Sequence, residues 1–143
     1  MLKQIHMIFV LVLAFVSGAN HAFADYLVVV NKKVTIAALS KDEVARIFMI
    51  KSKTLPNGNE VVPLSQSSRV DFNEVFFDKI TGQTHMQREA YWARLMFTGK
   101  GLPPVDVKTD HKMLQMIASD PKYIGFIDDS SLNDTVKVVY RVH

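Results

Sequence analysis

The chain contains no cysteine. It therefore has no disulfide framework, no thiol nucleophile, no cysteine-ligated metal site and no cysteine that could accept a lipid at a processing site. No segment repeats, and no stretch has low complexity. A fold built from this sequence is held together by packing alone.

Neither sign of charge dominates. The sequence has 17 Lys and Arg residues against 14 Asp and Glu residues. Nucleic-acid-binding domains carry a marked excess of basic residues on one surface. The near-equal numbers of basic and acidic residues therefore do not indicate a nucleic-acid-binding surface. Any site that depends on charge has to be formed by a local group of residues.

The N-terminal segment has the parts of a secretory signal peptide. A short polar lead precedes an apolar run over residues 7–16, and Ala22 and Ala24 place small residues at the two positions that a signal peptidase reads. The apolar run is too short to span a bilayer as a mature anchor. We expect a signal peptide over residues 1–24, cleavage before Asp25 and a periplasmic mature protein.

The remaining residues, 25–143, are enough for one domain and too few for two. Their apolar patterning predicts the order strand, helix, strand, three helices, strand, strand. This alternation predicts an α/β fold with a single mixed-sheet lobe flanked by helices. The predicted strands cover residues 26–31, 60–64, 123–127 and 136–142, and the predicted helices begin near Lys41, at Ser67 or Ser68, near His85 and after Thr109 or Asp110.

Two of these helices have informative sequences. Ser40 and Glu43 form a capping box, which predicts a helix start at Lys41. The helix over residues 85–97 carries an apolar stripe that other large apolar residues widen, and we expect it to be well buried. The stripe consists of Met86, Ala90, Ala93 and Phe97, and the widening residues are Tyr91, Trp92, Leu95 and Met96.

The segment after the second predicted strand suits anion binding. The free amides of a helix N-terminus carry partial positive charge. Hydroxyls of Ser65, Ser67 and Ser68 beside the Arg69 guanidinium would add donors around a tetrahedral oxyanion. The alternative interpretation is that the serines only cap the helix and that Arg69 is solvated.

A second glycine-containing loop, residues 98–101, lacks the spacing and the strand-before, helix-after context of a nucleotide-binding P-loop. The sequence favours a helix end in which Gly99 takes the left-handed conformation.

Other residue patterns give no support to an enzyme, a cofactor or a metal site. His85, His111 and His143 lack the spacing of metal ligands, and no serine lies in a nucleophile elbow. We therefore expect a non-enzymatic protein without a cofactor. The carboxylates on the second helix and in the turn after the third strand are expected to be solvated; they are Asp71, Glu74, Asp78, Asp128 and Asp129.

Taken in order, several segments resemble the substrate-binding proteins of phosphate ABC transporters, and in particular short, single-lobe members of that family. The Tyr-Trp…Phe-Thr-Gly-Lys-Gly pattern contributes most to the resemblance. The segments are Leu27–Lys33, Leu39–Phe48, Lys51–Gly58, Val61–Leu64, Ala90–Gly101 and Ile124–Asp128.

The resemblance implies a lobe like one domain of a type II periplasmic binding protein, with phosphate or a related oxyanion as ligand. Ser67, Ser68 and Arg69 occupy the place of the family's Ser-Gly-Thr anion loop. The family closes two lobes over its ligand, and this chain has room for one. The resemblance thus implies weak binding, with a membrane permease, or a second lobe supplied by dimerisation, as partner. The alternative is an envelope interaction module that kept the fold and lost the ligand.

Overall fold

The structure is a computed structural model and describes residues 25–143. The expected signal peptide, residues 1–24, lies outside the described residues. Within the described part of the chain, none of the helices combines the length and the apolar character needed to span a bilayer.

The described residues form an α/β fold with a mixed sheet and flanking helices, as predicted. The strands are β1 (Tyr26–Asn31), β2 (Val62–Ser65), β3 (Val105–Asp106), β4 (Tyr123–Asp128) and β5 (Val136–Val142), and the helices are α1 (Lys41–Phe48), α2 (Val70–Thr81), α3 (His85–Phe97) and α4 (Asp110–Ser119).

The sheet has the strand order β3-β2-β4-β1-β5. β1 runs antiparallel to both of its neighbours, β4 and β5, whereas β2 is parallel to β3 and β4. The carboxyl ends of β2, β3 and β4 therefore meet at one edge of the sheet, together with the start of β1.

The β1 strand is apolar on both of its faces because helices cover both faces of the sheet. Val28 and Val30 belong to the core that α1, α2 and α3 complete. Leu27 and Val29 belong to the core on the other side, which α4 completes. The lobe thus has three layers, with the sheet in the middle.

Local sequence signals fix several helix ends. The Ser40 hydroxyl accepts a hydrogen bond from the Glu43 amide at 3.1 Å, and the Glu43 carboxylate accepts one from the Ser40 amide at 2.7 Å, so the predicted capping box is confirmed. Thr109 caps α4. Gly99 has a φ of 68°, which confirms the left-handed conformation predicted after α3.

Other predicted boundaries are wrong. The second strand begins two residues later than predicted, at Val62, and the two-residue strand β3 was not predicted because it is too short to show a pattern. The residue that precedes α2 is Arg69, and its side chain makes no capping bond. Ser67 does not cap α2 because its amide and its hydroxyl bind Asp106 instead.

The expected burial of α3 is also wrong. Its buried residues are Arg88 and Trp92, whereas Met86 is 81% exposed and Phe97 is 96% exposed. The stripe that contains these two residues points away from the sheet. Helix α3 contacts the core through the opposite side, where Trp92 packs edge-on against Phe77 with ring centroids 5.4 Å apart.

A charged contact joins α2 to α3. The Arg88 guanidinium is buried, donates to the Glu74 carboxylate and lies 5.0 Å from the centre of the Phe77 ring. His85 Nδ1 lies 3.0 Å from the other Glu74 oxygen. Burial raises the pKa of Glu74, but the hydrogen bonds and charges of Arg88 and His85 outweigh it and hold this pKa below its ordinary value. The prediction that Glu74 is simply solvated is therefore wrong, although Asp78 on the same helix is exposed.

Replacing Glu74 tests this contact. We expect Glu74→Gln to lower the free energy of unfolding by about 2 kcal/mol near neutral pH, because buried Arg88 loses its charged partner. The pKa of Glu74 is depressed below 4.5 in the folded protein, so the carboxylate stabilises the fold fully above that pH and loses its effect as the pH falls through the folded-state pKa. Urea denaturation at several pH values measures this.

The difference in the free energy of unfolding between wild type and Glu74→Gln should become smaller at acidic pH. Asp78→Asn is the matched control, because it removes an exposed carboxylate from the same helix. A difference between wild type and Glu74→Gln that is independent of pH would contradict the assignment.

A glycine lets α4 lie close to the sheet. A Cβ atom added to Gly125 in β4 would overlap the Met113 sulfur and lie 3.1 Å from Ile117 Cδ1. We expect Gly125→Ala to destabilise the fold by about 1 to 3 kcal/mol through overpacking, measured by chemical denaturation. Shortening Met113 in the double variant Gly125→Ala/Met113→Ala should reduce that cost, and equal costs in both backgrounds would exclude the clash as its cause.

Candidate functional site

Three parallel strands end at one corner of the lobe. Their last residues are Ser65 in β2, Asp106 in β3 and Asp128 in β4. Tyr26, the first residue of β1, pairs with Asp128 at the same edge. In open α/β sheets, ligands bind in the crevice outside the carboxyl ends of the strands, so this corner is the candidate site.

Ser67 lies at the corner with two donors directed at one acceptor. Its amide donates to Asp106 Oδ1 at 2.8 Å, and its hydroxyl donates to the same oxygen at 2.6 Å. Both residues are exposed. A carboxylate oxygen therefore occupies the position at which these donors would hold an oxyanion.

Arg69 lies at the same corner with its guanidinium directed inward. Its Nη1 donates to Asp110 Oδ1 at 2.9 Å and to Gln66 Oε1 at 2.8 Å. The guanidinium also stacks on Phe72, 3.8 Å from the ring centre. Its charge is thus balanced within the protein by Asp110.

Asp110 accepts four hydrogen bonds. Besides Arg69, Oδ1 accepts from Gln66 Nε2 at 2.7 Å. Oδ2 accepts from the amide of Asp128 at 3.1 Å and from the Ser131 hydroxyl at 2.7 Å. As the first residue of α4, it also places negative charge at the positive end of that helix. One carboxylate thereby joins the segment before α2, the end of β4 and the start of α4.

Gln66 completes this buried network. The residue is fully buried. Its side-chain Nε2 also donates to the backbone carbonyl of Phe126 at 3.0 Å. Its backbone amide donates to Asn73 Oδ1 at 3.1 Å. Every side-chain polar atom of Gln66 has a partner, which is what a buried amide requires.

The four residues predicted for oxyanion binding lie close together in the chain and differ in their surroundings. Ser65 is buried, and its carbonyl accepts a hydrogen bond from the amide of Val107 at 2.7 Å. Ser67 and Ser68 are exposed, and Arg69 is partly buried. The structure brings Ser67 and Arg69 to one corner and gives each of them a carboxylate partner.

Sequence reasoning missed the residues that organise this corner, namely Gln66, Asp106 and Asp110. Asp110 had a signal, because an acid directly after the capping Thr109 is typical of a first helical turn. Asp106 had none, since it belongs to a two-residue strand far from Ser67 in the chain.

The Asp128 carboxylate accepts bonds from the amide and hydroxyl of Ser130. These bonds hold the pKa of Asp128 below its ordinary value.

The corner is richer in carboxylates than in cations. Asp106, Asp110, Asp128 and Asp129 lie at this edge of the sheet, together with the guanidinium groups of Arg69 and, at the end of β5, Arg141. Among residues 25–143, no three His, Asp or Glu side chains come together as metal ligands. At Ser67 and Arg69, an anion has to compete with a carboxylate for the donors.

The solved structures that this fold resembles include several phosphate-transport proteins. The chain is similar to an ABC-type phosphate transport receptor from Vibrio cholerae, with 13% identity, a TM-score of 0.59 and coverage of 81% of this chain and 46% of that one. It is also similar to a putative phosphate ABC transporter substrate-binding protein with bound phosphate from Clostridium perfringens, with 13% identity, a TM-score of 0.61 and coverage of 81% and 45%.

A third structure, PstS from Borrelia burgdorferi, has 12% identity, a TM-score of 0.61 and coverage of 82% of this chain and 47% of that one. The chain thus spans about half the length of these proteins. No protein-family model and no curated protein matches the sequence. At this identity the likeness shows a shared fold: a mixed five-stranded sheet with flanking helices, as in a lobe of phosphate-binding proteins.

Replacing Asp110 tests how much its hydrogen-bond network stabilises the fold. Asp110→Asn preserves shape but turns an acceptor of two bonds into a donor, so partly buried donors lose their partner. We expect a loss of about 2 to 4 kcal/mol in the free energy of unfolding, measured by urea denaturation. Asp71→Asn is the control because Asp71 is the exposed acid in the first turn of α2; equal effects would reduce the role of Asp110 to a helix-dipole contribution.

Proposed function

We propose that this protein is a non-enzymatic, periplasmic, solute-binding-type lobe that binds phosphate or a related oxyanion weakly. The proposed site is the corner formed by Ser67, Ser68 and Arg69, with Ser65 beneath it. A membrane permease, or a second lobe facing the corner, is the proposed partner. No cofactor takes part.

One observation carries the proposal: the amide and the hydroxyl of Ser67 converge on a single oxygen of Asp106. Asp106 is exposed, so its carboxylate can turn into solvent and leave both donors to another oxyanion. The likeness to phosphate-binding proteins supports phosphate as the first ligand to test.

Competition from Asp106 explains why the affinity should be low. An external oxyanion has to displace a tethered carboxylate and then lies among the charges of Asp106, Asp110 and Asp128. Exposed hydrogen bonds contribute little against water. We expect a dissociation constant of roughly 1 mM or weaker for the isolated lobe.

Removing the internal competitor is the decisive test. We expect Asp106→Ala to lower the dissociation constant for inorganic phosphate by about tenfold, because both Ser67 donors become free and one negative charge disappears. Isothermal titration calorimetry or amide chemical shifts of Ser67 and Ser68 measure the binding. Adding Arg69→Gln should abolish the gain.

Asp134→Ala is the matched control. Asp134 is an exposed acid two residues before β5, at the opposite end of the sheet from Asp106, so its loss changes the net charge equally. Equal phosphate binding in both variants, or no binding in Asp106→Ala at tens of millimolar phosphate, would reject the proposed site.

The same geometry favours a second candidate, an envelope interaction module that kept the fold and uses its own carboxylate in place of a ligand. The balanced contacts of Arg69 with Asp110 and of Ser67 with Asp106 favour this candidate. A protein partner whose binding is unchanged by phosphate, together with a flat titration of Asp106→Ala, would support it.

A further inference from the structure

Helix α3 has apolar residues on two opposite sides, and the fold uses only one of them. Trp92 and the stem of Arg88 are buried, and Tyr91 and Leu95 pack against the same core. A helix that is apolar all round is typical of an element buried on every side. The structure leaves the second side of α3 in water.

This second side is a continuous stripe on the helix. Its members follow the spacing i, i+4, i+7 and i+11, which places them on one line along the helix surface. All four are exposed, with Met86 81% and Phe97 96% accessible at the two ends. The members of the α3 stripe are Met86, Ala90, Ala93 and Phe97.

The α3 stripe is symmetric about its middle. Met86 and Phe97 are equally far from the midpoint between Tyr91 and Trp92, and so are Ala90 and Ala93. Each end is large and the centre is small. If a second α3 lies antiparallel on the first, a large end meets a large end, and the alanines in the centre allow the two helices to approach closely.

Charged residues border the stripe without entering it. Glu89 and Arg94 are exposed on opposite sides of it, so both stay in solvent at the rim of a helix pair, as charges in protein interfaces generally do. Because Glu89 borders one side and Arg94 the other, the border has no excess of positive charge to attract anionic lipid, and a lipid surface offers no contacts that need the small residues at the centre of the stripe.

We infer that the occupant of the α3 stripe is the α3 stripe of a second copy of this chain, packed antiparallel about a two-fold axis. Met86 of each copy contacts Phe97 of the other, and Ala90 of each faces Ala93 of the other. This is an isologous interface, which closes at the dimer. The inference concerns the outer side of α3 and does not depend on oxyanion binding.

Sedimentation velocity of the mature protein up to about 1 mM tests association. We expect a monomer–dimer equilibrium, and we expect Phe97→Glu to raise the dissociation constant at least about thirtyfold, because it places a charge against Met86 of the other copy at both ends of the buried stripe. Leu132→Glu is the control, because Leu132 is an exposed apolar residue outside α3. Circular dichroism verifies that both variants are folded.

Because the chain has no cysteine of its own, introduced cysteines can test whether the two α3 helices pack antiparallel. Two Met86→Cys copies in the proposed dimer have their cysteines about 16 Å apart along the helix axis, as do two Phe97→Cys copies. Neither variant alone can form a strain-free disulfide, whereas a mixture can link Cys at 86 to Cys at 97. We expect a covalent dimer under mild oxidation only in the mixture.

Three results would overturn the inference. One is a wild-type protein that stays monomeric at about 1 mM. Another is disulfide formation in either single variant as fast as in the mixture. The last is Phe97-dependent co-sedimentation with phosphatidylglycerol vesicles by a protein that does not dimerise, which would assign the stripe to a membrane surface.

Discussion

The corner at which the strands end depends on the Asp110 carboxylate and its four donors. These donors come from Gln66, Arg69, Asp128 and Ser131, which lie in two separate stretches of the chain. A partly buried carboxylate is stable only where such donors replace its water. The start of α2, the end of β4 and the start of α4 are therefore fixed relative to one another by an electrostatic requirement, in addition to the packing of the two cores.

Much of the fold follows from local sequence. The uninterrupted apolar run of β1 indicates a strand covered on both faces, and the capping box at Ser40 fixes the start of α1. The burial of α3 could not be predicted because apolar spacing does not tell which of two apolar sides meets the sheet. For the candidate site, the sequence pattern singled out Ser67 and Arg69 as oxyanion donors, which stays a prediction. It could not show that Asp106 and Asp110 take their donors, since those contacts join residues about 40 positions apart and depend on the topology of the sheet.

The chain spans about half the length of each structural neighbour, and two of its surfaces are the ones at which we propose contacts with other molecules. One is the carboxyl edge of the parallel strands, where Ser67 and Asp106 contact each other in solvent. The other is the outer side of α3, where Phe97 is almost fully exposed. They differ in chemistry, because the first is polar and charged, whereas the second is apolar.

The position of β1 in the sheet has a consequence for biogenesis. The first strand of the described chain lies between β4 and β5, which are formed by the last twenty or so residues. A ribosome synthesises the N-terminal part first and therefore releases β1 long before its pairing partners are available. Closing the sheet requires contacts across nearly the whole chain, which slows folding. In a chain of this topology, β1 stays without its two neighbours in the sheet until β4 and β5 have been synthesised.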